Sequence, residues 1–278
     1  MRSPQASRCV PWIAALPMYD YPELAGAHDA LWSAISTRLL AAGLVAAPSN
    51  LRRDLDHLAG WRHPYLLLGQ ACEYPLAKSL AGQVRPIATP HYSAPGCEGA
   101  RYRSAVLVRA TDPARELADL RERRCAVNEA DSNSGMNLLR AAIAPLAAGR
   151  RFFATIRLSG SHRASVRMLT DGEADVAAVD CISLAHLQRC APASLAALRI
   201  LCWTPAARCP PFITAGATDE ATLRALRAAL AGVAADPALA AVRERLLLAK
   251  IDLEHDGCYA EALEHERRAA ELGYPALV

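Results

Sequence analysis

The chain has 278 residues, of which 53% are hydrophobic and 21% are charged, and its formal net charge is +3. This composition excludes a disordered chain and allows one large domain or two lobes. No basic stripe with interleaved aromatic residues is present, and no apolar stretch approaches the ~20 residues of a spanning helix, so nucleic acid is not expected as a partner and direct membrane insertion is not expected either.

The first part of the sequence alternates strand-like and helix-like segments. A strand is predicted at Val10–Leu16, and a helix over residues 22–43, where apolar side chains recur at helical spacing. The next segments predict a strand at Tyr65–Leu68, a helix near Cys72–Ala81, a strand around Val84–Ala88 and a strand at Tyr102–Arg109.

The middle and the end of the sequence continue this alternation and then become helical. A helix is predicted at Pro113–Leu120 with Asp112 as its N-cap. The following predictions are strand Cys125–Asn128, helix Met136–Ala147, strand Phe152–Leu158, helix Ala164–Thr170, strand Val176–Val179, a helix to about Arg189 and strand Leu198–Trp203. From Asp219 to Leu272 we predict three helices, divided at Asp236-Pro237 and Asp256-Gly257.

This pattern predicts an α/β fold with mostly parallel sheets flanked by helices and a helical C-terminal tail. Ligands of such sheets bind beyond the C-terminal ends of the strands. The rule directs attention to the loops after Val127, Leu158 and Val179.

The loop after Val127 is the strongest candidate for a binding site. It contains Ser132, Asn133, Ser134 and Gly135 directly before a predicted helix. The unpaired amides of a helix start attract anions, serine hydroxyls can donate to them, and glycine lets a ligand approach the backbone. The alternative interpretation is ordinary helix capping.

The other loops at this edge supply further polar groups. Ser161 and His162 lie between a strand and a helix, and an imidazole at a helix start can bind an oxyanion. Asp180 follows an apolar strand and is either a helix cap or a ligand group. Earlier in the chain, Tyr19 and Gln70 follow strands and could hydrogen-bond a ligand from the opposite side, although packing is the alternative role.

The order of the segments LPMYD, YRSAVLVR, DSNSGMN, GSH, DGEADVAAVD and RILCWTPAARCPPFITA resembles the phosphonate/phosphite/phosphate-type substrate-binding proteins of ABC transporters. The resemblance covers roughly residues 10–230 and implies the two-lobed type 2 periplasmic-binding-protein fold. It also implies that the S-x-S-G turn and the GSH histidine hold an oxyanion, with a first-lobe tyrosine and a later acidic residue contributing. Carried over by position, the implied residues are Ser132, Asn133, Ser134, Gly135, His162, Tyr19 and Asp180. Asn133 stands where a hydroxyl residue is common, which leaves the identity of the anion open.

The predicted organisation is lobe 1 over residues 1–104, lobe 2 with the anion-binding loops over 105–199, and a return to lobe 1 over 200–278. The crossovers are expected near Tyr102–Val106 and Leu198–Trp203. The expected function is reversible capture of a small oxyanion-bearing ligand by hinge closure, in a transport-related solute-binding protein or a cytoplasmic sensor. An ABC transporter membrane component is then a possible partner.

The sequence supports an enzymatic function less well than a binding function. Ser134 or Ser132 with His162 and Asp180 could form a hydrolase triad only superficially, since the sequence has no G-x-S-x-G elbow. A lyase or biosynthetic enzyme on the same fold, with His162 or Asp180 transferring protons, is the alternative. No catalytic residue, metal site or cofactor is therefore assigned.

The beginning of the sequence and the cysteines bear on the compartment. The N-terminal apolar run is short and interrupted by Pro11 and Pro17, which makes it a poor signal peptide. The nine cysteines are scattered and contain no C-x-x-C pair, a pattern typical of free thiols in a reducing compartment. The chain as written is expected to be cytoplasmic; the alternative is a periplasmic protein whose true start lies upstream.

Overall fold

The computed structural model describes residues 12–253 and 260–278, which form two five-stranded sheets and a two-stranded ladder. The strands are β1 Ile13–Ala15, β2 Leu66–Gln70, β3 Val84–Tyr92, β4 Arg101–Tyr102, β5 Ser104–Arg109, β6 Arg124–Val127, β7 Thr155–Leu158, β8 Val176–Asp180, β9 Leu198–Trp203, β10 Ala207–Arg208, β11 Phe212–Ala215 and β12 Leu248–Asp252. The α-helices are α1 Ala25–Ala41, α2 His57–Trp61, α3 Glu73–Ala77, α4 Leu138–Ala147, α5 His162–Thr170, α6 Cys181–Cys190, α7 Glu220–Ala235, α8 Ala240–Arg245 and α9 Ala260–Glu271.

The first sheet has the order β1-β2-β11-β3-β12. β1 pairs with β2 in parallel, whereas β11 is antiparallel to both β2 and β3, and β12 is antiparallel to β3. The apolar run Leu66–Leu68 is fully buried, with Leu66 in the core that contains Trp61 and Leu76 and with Leu67 and Leu68 in the larger core that contains α1 and α7. This sheet and its helices form the first lobe of a two-lobed α/β fold.

The second sheet has the order β7-β6-β8-β5-β9 and forms the second lobe. β6 pairs in parallel with β7 and β8, and β5 is antiparallel to β8 and β9. The C-terminal ends of β6, β7 and β8 therefore lie at one edge, as the parallel pairing requires. The three loops singled out from the sequence meet at this edge.

The two sheets are mixed, although the sequence predicts mostly parallel ones. Four strands of the second sheet share one direction, but β5 runs the other way between β8 and β9. The first sheet has two reversed strands, β11 and β12. β5 and β11 each follow a passage between the lobes, whereas β12 follows α8 within the first lobe. Alternation of helices and strands along the chain reveals none of these directions.

Two passages of the chain between the lobes lie side by side in a short ladder. β4 pairs antiparallel with β10, so that Tyr102 lies opposite Ala207. The whole of β9 pairs with β5 of the second sheet, which puts the second passage after Trp203 rather than within Leu198–Trp203. The lobe boundaries given above remain predictions.

Amphipathic helices close the core of the first lobe. α1 and α7 bury one face each against the first sheet, and α1 also packs on α7. The buried residues of these two faces are Leu31, Trp32, Ile35, Leu39, Leu223, Leu226 and Leu230. The predicted helix over 22–43 is confirmed in its body, where α1 follows a 3₁₀ turn at Pro22–Leu24.

Two predicted segments are wrong. Pro113–Leu120 is helical only at Leu117–Leu120, because Glu116 is extended and forms a capping box with Asp119 that starts the turn there. The segment from Asp219 to Leu272 contains β12 as well as helices. Leu247 adopts a positive φ of 58° that ends α8, and the chain then pairs with β3. The predicted break at Asp256-Gly257 lies outside the described residues.

Smaller differences concern strand starts. The predicted strand Phe152–Leu158 begins at Thr155, because Phe152 and Phe153 pack into the second-lobe core while their amides donate to Val278 O. Of the predicted strand Val10–Leu16, Ile13–Ala15 is a strand, and residues 10–11 lie outside the described residues.

The helical C-terminal tail spans both lobes. Glu266 of α9 accepts hydrogen bonds from the Tyr74 hydroxyl (2.9 Å) and from Lys78 (2.8 Å) in the first lobe. In the second lobe, the Asn137 side chain donates to Ala262 O at 3.0 Å, and Arg140 donates to Pro275 O at 2.9 Å.

Within the described ranges no single helix is long and apolar enough to span a membrane. One bent pair, α7 with Pro237–Arg245, has the length and composition for it, with an angle of 73° between its two helices.

Candidate functional site

A cleft of about 270 Å³ lies between the lobes and is lined by both polar and apolar groups. The second lobe contributes the loops after β6, β7 and β8, and the first lobe contributes the turn after β1 with parts of α2 and α3. The lining residues are Pro17, Met18, Asp20, Tyr21, His57, Trp61, Cys72, Pro75, Asn128, Glu129, Asp131, Ser132, Ser134, Gly160, Ser161, His162, Asp180 and Ser183.

The predicted anion loop forms one wall of the cleft. Ser132 caps a π-helical turn, Asn133–Asn137, which continues into α4, and its Oγ accepts from the Gly135 amide at 3.0 Å. Ser132 Oγ also lies 3.3 Å from Ser134 Oγ. The capping role is therefore real, and the capping serine lines the cleft as well. Wide turns of this kind recur at functional sites.

Three predicted residues meet at the centre of this wall. Ser134 Oγ lies 2.9 Å from His162 Nε2, and Asp180 Oδ2 lies 3.7 Å from the same nitrogen. Burial lowers the pKa of His162, and the Asp180 carboxylate offsets part of this effect. The imidazole is therefore neutral at pH 7, and its Nδ1 has no hydrogen-bond partner among the described residues.

Asp180 is held rigidly at the C-terminal end of β8. Its Oδ1 accepts from the amides of Ile182 and Ser183 at 2.8 and 3.0 Å, and its Oδ2 accepts from Ser183 Oγ at 2.7 Å. The carboxylate is thus the N-cap of α6 and a wall of the cleft at once. Both roles that the sequence left open are present.

Position 135 requires glycine, because the Asn128 side chain occupies the space that a Cβ would take. A Cβ at position 135 would lie 1.8 Å from Asn128 Oδ1 and 3.3 Å from His162 Cε1. Asn128 Oδ1 is buried and has no hydrogen-bond partner within the described ranges. A buried unpaired acceptor is costly, so a donor is expected to reach it when a ligand is bound.

The loop after β7 completes the second-lobe wall. Ser161 caps α5, where its Oγ accepts from the Ala164 amide at 3.1 Å, and Gly160 precedes it with a φ of 85°. The start of α5 therefore faces the cleft beside the turn at Asn133–Asn137. Two helix starts that converge on one space favour a negative group there.

Four predicted residues do not line the cleft. Asn133 is buried and makes hydrogen bonds with Tyr102 and Asn137, and Gly135 lies behind Asn128. Tyr19 and Gln70 border a separate interior cavity of about 20 Å³ in the first lobe. The 3₁₀ turn at Pro17–Tyr19 directs Tyr19 inward, and the Gln70 amide donates to the Tyr92 hydroxyl (2.7 Å) and to Pro210 O (2.9 Å).

Sequence reasoning missed most of the first-lobe wall. His57 stacks edge-on against Trp61 at 4.8 Å between ring centroids, and Trp61 Nε1 donates to Gln70 O at 2.7 Å. Tyr21 and Asp20 follow the turn that carries Tyr19. The segment LPMYD pointed to this region of the chain, but no spacing in the sequence indicated α2.

The cleft carries more negative than positive charge. No lysine or arginine occurs among its described lining residues, whereas Asp20, Glu129, Asp131 and Asp180 all lie there. Asp20 is paired with Arg53 outside the cleft at 2.5 Å. The other three carboxylates have no lysine or arginine partner at the cleft among the described residues, although Glu129 lies near His57 and Asp180 near His162.

One group at the cleft could hold a metal ion. Ligand atoms of His57, Glu129 and Asp131 lie within 4.8 Å of one another, with His57 on one lobe and the two acids on the other. Burial raises the pKa of Glu129, and the nearby His57 opposes this shift. His57 Nε2 lies 3.3 Å from Glu129 Oε2, so the group also serves as a contact between the lobes.

Comparison with solved structures shows the same fold over nearly the whole chain. PhnD1 from Prochlorococcus marinus, in complex with methylphosphonate, is 13% identical with a TM-score of 0.74, over 94% of this chain and 99% of that one. A binding protein component of an ABC phosphonate transporter from Pseudomonas aeruginosa is 14% identical with a TM-score of 0.73, over 94% and 87%. XAC2383 from Xanthomonas citri, bound to chloride ion, is 15% identical with a TM-score of 0.70, over 94% and 98%.

At the level of sequence, a search of curated proteins found no match. The family model for the periplasmic substrate-binding protein of phosphonate ABC transporters matches residues 66–255, which include the loops after β6, β7 and β8. The match covers more than half of the chain and agrees with the two-lobed fold. The chain belongs to the phosphonate ABC transporter substrate-binding protein family.

Proposed function

We propose that the cleft reversibly captures a small oxyanion-bearing ligand of the phosphonate class, and that the protein serves as a solute-binding component of a transporter. The observation that carries this proposal is the convergence of Ser132, Ser134 and His162 with two helix starts on one cleft. Amides and hydroxyls are neutral donors, and a neutral His162 can take up a proton as an anion enters.

The charges of the cleft favour a zwitterion as the ligand. A doubly charged anion would face Glu129, Asp131 and Asp180 with no arginine or lysine lining the cleft to compensate. A ligand that also carries an ammonium group can direct it at these carboxylates. An aminophosphonate therefore fits the cleft better than inorganic phosphate does.

The family supports an inference about the location and the partner. Its members are described as periplasmic components of ABC transporters, which supports the periplasmic alternative and a membrane component of the transporter as partner.

The geometry does not favour a hydrolase. Ser134 and Asp180 both approach Nε2 of His162, whereas in a catalytic triad the serine and the carboxylate use opposite ring nitrogens.

Isothermal titration with three compounds tests the capture of an anion and the role of the ammonium group separately. The compounds are 2-aminoethylphosphonate, ethylphosphonate and inorganic phosphate. We expect saturable binding of both phosphonates and tighter binding of the amino compound. Ser134→Ala should weaken both at least tenfold, since it removes a donor from a buried site. Ser33→Ala, on the exposed face of α1, is the matched control. Unchanged affinity in Ser134→Ala would refute the site.

Asp180→Asn tests the contribution of charge. The asparagine keeps an oxygen for the cap of α6 but removes the negative charge, so the preference for the amino compound should shrink while ethylphosphonate binds as well or better. Asp219→Asn is the matched control, because Asp219 caps α7 through the Thr222 amide at 2.8 Å and lies away from the cleft. An unchanged preference in Asp180→Asn would exclude Asp180 as the partner of the ammonium group and leave anion capture intact.

A further inference from the structure

Two thiols from different lobes are in contact beside the passage between the lobes. Cys97 Sγ, in the connection between β3 and β4, lies 3.4 Å from Cys181 Sγ, at the first residue of α6. A disulfide needs about 2.0 Å between the sulfurs, so an approach of about 1.4 Å is enough. The described cysteines are all free thiols, and both of these lie at the interface core between the lobes.

The backbone around this pair is already tightly packed. The Cys181 amide donates to Arg103 O at 3.0 Å, and the Cys97 amide donates to Ala94 O at 2.9 Å. Gly96 has a φ of 97°, and a Cβ there would lie 2.9 Å from Cys181 Cβ and 2.7 Å from a ring carbon of Trp203. Only glycine lets the first-lobe connection come this close to α6, so the two sulfurs face each other without a change of fold.

The surroundings leave Cys97 partly accessible and make both thiols slow to react. Cys97 is half-buried, and Cys181 is buried. The hydrogen bond with Cys181 lowers the pKa of Cys97, but the hydrogen bond with Cys209 and burial outweigh it and raise the pKa. The hydrogen bond from Cys97, burial and the Asp180 carboxylate all raise the pKa of Cys181. Since the thiolate is the reactive form, bond formation requires sustained oxidising conditions.

We propose that Cys97 and Cys181 form a reversible disulfide that joins the two lobes next to the binding cleft. With a low-molecular-weight disulfide such as glutathione disulfide, the Cys97 thiolate attacks one sulfur and releases one glutathione. The Cys181 sulfur then attacks Cys97 Sγ and releases the second glutathione. The two thiol protons leave with the two glutathione molecules, and two electrons pass from the protein to the oxidant.

The consequence is a covalent link between positions 84 residues apart in the chain. Such a link restricts the unfolded chain strongly, and a rise in the unfolding temperature of about 10 °C is expected. It also fixes the start of α6, and with it Asp180, against the first lobe.

Peptide mapping after oxidation tests the proposal directly. The full chain is incubated with glutathione disulfide, alkylated, digested with trypsin and analysed by mass spectrometry. Trypsin yields separate single-cysteine peptides for Cys97 (79–101), Cys181 (168–189) and Cys209 (209–224). We expect a linked pair of the first two, which dithiothreitol separates, together with the higher unfolding temperature.

Variants establish which sulfurs are responsible. Cys97→Ser and Cys181→Ser should each abolish the linked peptide and the thermal shift. Cys202→Ser, a half-buried cysteine of β9, should leave both unchanged. A Cys97–Cys209 linked peptide, or no linked peptide in the wild-type protein, would overturn the proposal, and the wild-type digest gives this answer even if a variant fails to fold.

Discussion

Replacement of Gly135 by alanine should damage binding far more than folding. The new Cβ would lie 1.8 Å from Asn128 Oδ1, whereas real Cβ contacts are essentially never shorter than 3.0 Å. The Asn128 side chain must therefore move by more than 1 Å. Because Oδ1 has no hydrogen-bond partner in the described part of the chain, no strong interaction opposes this movement.

The magnitude follows from two opposing terms. Extra volume in a packed site costs about 1–3 kcal/mol, while alanine in place of glycine gains up to about 1 kcal/mol in a helical turn. The free energy of unfolding should thus fall by about 1 kcal/mol. Affinity should fall at least tenfold, because Asn128 and His162, the two side chains displaced, both line the cleft.

The assay is urea unfolding combined with titration calorimetry of 2-aminoethylphosphonate and ethylphosphonate. Gly26→Ala is the matched control, since Gly26 lies in α1 and a Cβ there would meet no atom within 4 Å. The control should bind as the wild type does and be as stable or slightly more stable. If Gly135→Ala binds with wild-type affinity, the contact between Asn128 and Gly135 does not shape the site, and the reasoning is wrong.

Three further predictions concern pH. Burial lowers the pKa of His186 from 6.5 to about 4, so the folded protein should lose up to about 3 kcal/mol of stability as pH falls from 6.5 to 4. Urea unfolding at both pH values should show that His186→Phe lacks this loss. Burial raises the pKa of Glu73 from 4.5 to about 7, so the stability of the folded protein should fall by up to about 3 kcal/mol as pH rises through this range. Glu73→Gln should be more stable than the wild type at pH 8. The assignment is refuted if the difference in stability between the two proteins is the same at pH 5 and pH 8. Burial lowers the pKa of His162, and a bound anion favours its protonated form. Ethylphosphonate affinity should therefore rise more steeply in the wild type than in His162→Gln as pH falls toward 6, and parallel pH profiles would contradict a role for the imidazole.

The second-lobe half of the site could be predicted because its signals are local. A strand, a polar loop and a helix start follow one another in the chain, and parallel pairing brings the ends of β6, β7 and β8 to one edge. The predicted side chains of Ser132, Ser134, Ser161, His162 and Asp180 all line the cleft.

The first-lobe half could not be predicted in the same way. Tyr19 follows a predicted strand, but the turn begun by Pro17 buries it and leaves Tyr21 at the cleft. His57 reaches the site only through the approach of the two lobes, which no periodicity in the sequence encodes. β12 was missed for a related reason: its pairing with β3 joins residues more than 150 positions apart.

Trp61 gives the molecule a built-in optical signal. Its indole lines the cleft and stacks against His57, while Trp203 lies beside Gly96 at the passage between the lobes. Of the four tryptophans in the chain, Trp61 therefore reports on the cleft and Trp203 on the junction between the lobes. Emission spectra of the unlabelled protein, with Trp61→Phe and Trp203→Phe to separate these two contributions from those of Trp12 and Trp32, can follow both places on the same sample and in real time.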